Sequence, residues 1–368
     1  MDENYKLKFT VLAENHEACG LECEHGLSIF IEYERRTGND PLQMRREAEE
    51  VPLGDSKRYL LDAGQSGVFA RNAEKLGIDL TEVDAAFLSH AHYDHADGFA
   101  EFFRLNSRAV VYAREEGRIQ DYYSVKRCDA EANGNRMGKA KNSTTAVTGK
   151  IPDDVMGLAE EAYTARYIGI SKDILENYPE RFCWLGVHGE AVEAEQVPSA
   201  RCPLYSGRNS GKYKSIAPGI WLIWHDTPDL ERIGQRTGMY RRTEDLKGFV
   251  PDDFSHEQSL VLESARGLLV FNSCSHGGVA NIVEEVRQAL PGKHIYAYIG
   301  GFHLKAPGVQ EAMNCTEQEV EVLGKSLMQL GIEKIYTGHC TGERGFQVLK
   351  GVLGEKLELL KTGLQVEI

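Results

Sequence analysis

The chain has 368 residues, 42% of them hydrophobic and 27% charged, with a formal net charge of −14. That balance suits a globular protein with a large core, and the acidic excess excludes the basic surface of a nucleic-acid binder. No run approaches the ~18 apolar residues of a membrane span, and Met1-Asp2-Glu3-Asn4 lacks the basic end and apolar core of a signal peptide, so a cytoplasmic protein without a membrane partner is expected.

The eight cysteines are scattered, which predicts thiols rather than a disulfide framework. Cys19 and Cys23 form the one close pair, and no second pair follows to complete a zinc knuckle.

In chain order, Leu7 to Ala13, Leu27 to Tyr33 and Tyr59 to Asp62 predict strands, the third closed by Gly64-Gln65-Ser66-Gly67. Val68 to Leu76 predicts a helix. Ala85 to Ser89 predicts a strand that runs into a histidine cluster, and Gly98 to Leu105 begins a helix, so the cluster sits on a strand-to-helix loop. From about 115 to 220 the composition changes, with helices expected at Asp153 to Tyr167 and Lys172 to Asn177, which marks an insertion or cap. Strands return at Ile220 to Trp224, Gln258 to Glu263 and Leu268 to Asn272. A helix at Val279 to Ala289, a strand at His294 to Ile299, a helix at Thr316 to Leu330 and a strand at Lys334 to Thr337 complete the α/β alternation.

The chemistry concentrates in Ser89-His90-Ala91-His92-Tyr93-Asp94-His95. In an extended segment alternate side chains share a face, so His90, His92 and Asp94 point together while His95 follows at the turn into the helix. Such a set can hold two metals; the competing reading is a polar loop with surface histidines.

The His-x-His-x-Asp-His loop after a hydrophobic strand resembles the signature of the metallo-β-lactamase superfamily. Asn272-Ser273-Cys274-Ser275-His276, Ile299-Gly300-Gly301-Phe302-His303-Leu304 and Thr337-Gly338-His339-Cys340-Thr341-Gly342 resemble the subfamily labelled 7,8-dihydropterin-6-ylmethyl-4-(β-D-ribofuranosyl)aminobenzene-5′-phosphate synthase. His25-Gly26-Leu27-Ser28 and Leu61 to Gly67 fit it too. The matching segments run from about 7 to 115 and from about 250 to 345.

The resemblance implies one α/β domain over residues 1–368, a four-layer αββα sandwich with a helical or loop insertion. It implies two divalent metal ions, zinc first and manganese or iron as alternatives, with His90, His92 and His276 at one and Asp94, His95 and His339 at the other. Core or surface histidines are the alternative for His276 and His339. Many dinuclear members carry a bridging Asp after the strand that here reads Tyr296 to His303, and none is present. His303 stands nearest, as a metal ligand, a proton donor to a leaving group or a substrate contact.

Asp62 is either a turn carboxylate or the group that orients a ligand histidine, and Glu257 either a surface acid or a support to the site. Arg208, Lys212 and Tyr213, in a Gly-rich basic stretch, and Lys305 are candidates to grip a phosphate and stack on a flat ring; a solvated loop is the alternative.

The expected activity is hydrolysis by a metal-bound hydroxide, oriented by Asp94, on a phosphoester or other anionic phosphate-bearing small molecule. A pterin-pathway synthase, a thioester or lactone hydrolase and a non-catalytic metal sensor are the alternatives. Oligomeric state is not legible.

Overall fold

The computed structural model describes residues 5–16, 20–35, 56–127, 163–187, 190, 192, 209–210, 213–246, 248–306 and 312–368. Two sheets face each other. In the first, the described strands run in the order Gln365–Glu367, Tyr5–Ala13, Ser28–Arg35, Lys57–Leu61, Ala85–Phe87, Val111–Arg114 and Phe182–Leu185. In the second the order is Leu357–Leu359, Lys334–Thr337, Ile295–Ile299, Gly267–Phe271, Gln258–Ser264, Ile220–Trp224, Tyr213–Ala217 and Asn209–Ser210.

Period-2 alternation decides which side chains meet between the sheets. Ile29, Ile31 and Tyr33 point inward to join Leu222, Leu260, Leu269, Phe271 and Ile299 of the opposite sheet. Phe30, between them, points the other way into the helical layer. Phe9 packs edge-on against Phe271 and Tyr336, at centroid distances of 5.7 and 5.5 Å. Burial of each such Leu, Ile or Phe contributes about 1.5–3 kcal/mol, so this middle layer holds the sheets together.

Helices cover the outer faces. Val68–Lys75 and Phe99–Leu105 pack on the first sheet through Val68, Phe69, Phe99, Phe102 and Phe103. On the second, Val279–Ala289 buries Val279, Ile282, Val283 and Val286, spaced as one helical face. Glu317–Gln329 starts at a capping box in which Thr316 and Glu319 satisfy each other's backbone N–H groups. The arrangement is an αββα sandwich.

A third, antiparallel sheet orders Phe249–Pro251, Met239–Arg242, Tyr122–Arg127 and Tyr163–Tyr167. Here the structure corrects the expected helix from Asp153 to Tyr167: residues 153–162 lie outside the described residues, and Tyr163–Tyr167 is a strand paired with Tyr123 to Arg127. Cross-strand pairing outweighs helix propensity in that segment. The helix Lys172–Asn177 stands where expected. The segment from 115 to 220 also sends Phe182–Leu185 to the first sheet and Tyr213–Ala217 to the second. Cys183 on the former is disulfide-bonded, against the expectation of thiols throughout. Among the described residues no helix is long and apolar enough to cross a membrane.

Five strands position the site. Lys57–Leu61 runs parallel to Ala85–Phe87, and Gly267–Phe271, Ile295–Ile299 and Lys334–Thr337 run parallel to one another. Their carboxyl ends share an edge, where α/β sheets place ligands. The second-sheet turns approach so closely that Gly300 (φ +146°) allows no side chain: an added Cβ would lie 1.7 Å from the Asn272 carbonyl oxygen. Gly300→Ala should cost about 3 kcal/mol or more, read as a lower urea midpoint at unchanged slope. A midpoint equal to wild type would mean that the turns are not packed as described.

Candidate metal centre

His90, His92, Asp94 and His95 follow the strand Ala85–Phe87 and are buried. His276 and His339 follow Gly267–Phe271 and Lys334–Thr337 and are buried too. The structure brings ligand atoms of His90, His92 and His276 within 4.8 Å of one another, and those of His25, Asp94 and His339 likewise.

Proton counting shows which ring nitrogens carry lone pairs. Asp62 is fully buried; its Oδ1 accepts from Ser89 N–H at 2.7 Å, and its Oδ2 lies 2.7 Å from both Ser89 Oγ and His95 Nδ1. A carboxylate only accepts, so His95 donates from Nδ1 and Ser89 donates its single hydroxyl proton. Ser89 Oγ must then accept from His90 Nδ1, 2.9 Å away. Both Nε2 atoms are thereby left bare. His90 Nε2, His92 Nε2 and both ring nitrogens of His276 and His303 are buried with no hydrogen-bond partner.

His339 is set in the same way. Asn15 Oδ1 lies 3.1 Å from its Nδ1, Asn15 Nδ2 donates to its carbonyl, and Glu14 accepts its backbone N–H. With the proton on Nδ1, His339 Nε2 faces His95 Nε2 at 3.1 Å, lone pair to lone pair. That approach requires a cation, either a proton or a metal ion. Asp94 Oδ2 lies 3.3 Å from His25 Nε2, 3.5 Å from His339 Nε2 and 3.7 Å from His95 Nε2, which supplies a carboxylate on the same side. Buried bare nitrogens around one carboxylate are a donor set that a borderline divalent ion satisfies.

Burial first, then neighbouring imidazoles, holds the pKa of His90, His92, His276 and His339 well below the ordinary 6.5, so these rings are neutral and able to ligate near neutrality. His95 goes the other way. Burial works to lower it, but the carboxylates of Asp94 and Asp62 prevail and raise its pKa.

Glu257 is buried rather than a surface acid; its two oxygens accept the N–H groups of His276 and Gly277 at 2.8 and 2.9 Å, and burial raises its pKa. Phe254 stacks on His276 at 4.7 Å. His303 (φ +49°) places its ring 4.3 Å from that of His276 and lines the cavity.

That cavity, about 440 Å³, is lined by His92, Asp94, His276, His303 and His339 and also by Tyr93, Ile168, Met239, Lys126, Arg166 and Lys305. The third sheet thus supplies a wall. Tyr213 is not there: it pairs with Ser210 and Ile223 and packs on the outer helical layer of the second sheet. Arg208 and Lys212 lie outside the described residues.

Sequence reasoning missed His25 and His256 as well as Asn15, Lys126 and Arg166. His25 stands in a quoted segment without neighbours that mark it. His256 accepts Ala91 N–H at Nδ1, 3.0 Å away, and meets Asp252 at Nε2, so it braces the histidine loop. The others come from segments that carry no recognisable motif.

Residues 51–152 match the family model of the metallo-beta-lactamase superfamily. The chain is 23% identical to the 7,8-dihydropterin-6-methyl-4-(beta-D-ribofuranosyl)-aminobenzene-5'-phosphate synthase of Methanocaldococcus jannaschii over 361 residues, 97% of this chain and 95% of the relative. A stretch of 63 residues, 17% of this chain and 15% of the relative, is 44% identical to ribonuclease TTHA0252 of Thermus thermophilus. Among solved structures, Tm1679, a metal-dependent hydrolase of the beta-lactamase superfamily, superposes with a TM-score of 0.61 at 24% identity, covering 98% of this chain and 99% of that one. This last likeness bears on the fold.

Asp62→Asn should weaken metal binding about 10–100-fold, because an amide cannot accept from both Ser89 Oγ and His95 Nδ1 through one nitrogen. A chelator competition titration reads this, with circular dichroism as the control for folding; unchanged affinity would count against the proton assignment. Since the raised His95 pKa keeps a proton there until the pH climbs above 6.5, metal uptake should release that proton and affinity should fall on acidification from above that value. Calorimetry in buffers of different ionisation enthalpy measures the release, and zero protons at about pH 6.5 would contradict it.

Proposed function

We propose that this chain, which has the metallo-β-lactamase fold and matches the model of that superfamily over residues 51–152, is a metal-dependent hydrolase of a phosphate-bearing small molecule. One observation carries the reading: the buried side chains of His92, Asp94, His276 and His339 line the same cavity as Lys126, Arg166 and Lys305. The cations favour an anionic group, and Arg166 is braced over the Tyr93 ring, 4.8 Å from its centroid, beside a face suited to a flat moiety.

His90, His92 and His276 would hold one divalent ion, and Asp94, His95 and His339 the other, with zinc the first expectation from the imidazole-rich set. Metal ions held there supply a Lewis acid and lower the pKa of water toward ~7. In this reading Asp94 orients the attacking water by accepting its hydrogen bond, and the cations of the wall neutralise the substrate's charge. His303, its ring nitrogens unpaired, delivers a proton to the leaving group. The third sheet, with its share of the wall, acts as a cap that narrows entry to small molecules.

A second reading has one specific support. The similarity to the dihydropterin-linked synthase spans 97% of the chain, and a pterin is a flat ring system that a Tyr93 and Met239 wall accommodates. The two readings part on product analysis: hydrolysis yields free phosphate or an opened ester, whereas condensation joins a pterin to an aminobenzene phosphate.

The deciding measurement is metal content of wild type, His92→Ala and His339→Ala purified without chelator, alongside turnover of chromogenic phosphodiesters. About two equivalents in wild type, reduced in each variant, with measurable diester hydrolysis, is the expected outcome. Arg166→Ala should raise KM roughly 10-fold at little change in kcat if it grips a phosphate. A wild type free of metal would sink the proposal, and an unchanged KM would remove Arg166 from it.

A further inference from the structure

One side chain belongs to both ligand groups. Cys274 Sγ lies within 4.8 Å of ligand atoms of His90 and His95, of His276 and His303, and of His339 and Cys340. Its sulfur is 3.4 Å from His95 Nε2, the nitrogen left bare by Asp62. Cys274 is a buried thiol that lines the cavity.

The backbone around it is held for the purpose. Asn272 Oδ1 accepts Ser275 N–H at 2.7 Å, and Ser275, at φ +52°, donates its hydroxyl to the Gly301 carbonyl while receiving that of Tyr298. The turn that follows Ile295–Ile299 reads Gly300-Gly301-Phe302-His303 and offers no carboxylate between the two groups. A Cβ at Gly301 would come 2.4 Å from Cys340 Sγ, so the glycine there leaves room for the neighbouring Cys340 side chain.

Charge points the same way. Asp94 is the sole anion among the proposed ligands, set against two divalent ions and neutral imidazoles. A second anionic ligand placed between them lowers their mutual repulsion, and a thiolate suits zinc or another borderline ion. Cys340 is less well placed: its sulfur accepts the His303 N–H at 3.2 Å and points to the Cys274 carbonyl at 3.6 Å.

Resting on the reading that this site holds divalent metal, we propose that Cys274 ligates it through Sγ as the anion shared by the two groups, where a bridging carboxylate is missing. The thiol proton leaves to solvent as the metal binds.

The test is cobalt(II) substitution followed by absorption spectroscopy on wild type, Cys274→Ser and Cys340→Ser. Wild type and Cys340→Ser should show the near-ultraviolet thiolate-to-cobalt charge-transfer band, and Cys274→Ser should lose it together with roughly one equivalent of cobalt. Cadmium NMR on wild type alone needs no variant to fold: two resonances both shifted by sulfur are expected of a shared thiolate. Wild type that takes up cobalt without the band overturns the assignment of Cys274 while leaving the metal site standing. A band that survives in Cys274→Ser, or that vanishes in Cys340→Ser instead, overturns it equally. Failure of wild type to bind cobalt or cadmium at all overturns both this assignment and the reading beneath it.

Discussion

Everything at the site depends on one buried carboxylate that can only accept protons. Asp62 takes the Ser89 hydroxyl and the His95 Nδ1–H, and the serine in turn takes the His90 Nδ1–H, so one side chain sets the tautomers of two rings. The cost of burying that charge is offset by short hydrogen bonds to groups fixed by the fold. Asp62 itself sits at φ +56°, at the end of Lys57–Leu61, and its own carbonyl accepts from Ser28 Oγ. The strain of that backbone is held by the first sheet on one side and the histidine loop on the other.

The second sheet contributes its candidate ligands by a different device. Three parallel strands end side by side, and the residues just beyond them, Ser275, His303 and His339, all take the left-handed backbone conformation. These turns leave His276, His303 and His339 lining the cavity. Glu257 ties the His276 turn, and Glu14 with Asn15 ties the His339 turn, so neither histidine relies on a metal to hold its direction. A preformed site of this sort binds with little reorganisation.

Much of this was legible in the residues. The strands expected at Leu7 to Ala13 and Leu27 to Tyr33 stand as Tyr5–Ala13 and Ser28–Arg35, and the helix expected at Val279 to Ala289 stands as Val279–Ala289. The tight cluster from His90 to His95 declared itself because its members are neighbours in the chain. His25, Asn15 and His256 did not, because each acts across more than a hundred residues or from a turn with no pattern of its own. The segment Tyr163–Tyr167 misled for a related reason: its partner strand is some forty residues away, and helix propensity was the only local information. Cys274 was visible within Asn272 to His276, but its place between two ligand groups is a property of three dimensions.

The donor set is divided between the sheets in a way that bears on how the protein is born. The histidine loop is made early, His276 follows 181 residues after His95 and His339 later still, while the His339 ring takes its hydrogen-bond partner from Asn15. A nascent chain therefore presents only part of this donor set until the strand Lys334–Thr337 has been made. An ion held by all of these groups would be a clasp closed after the two sheets meet rather than a seed for their folding.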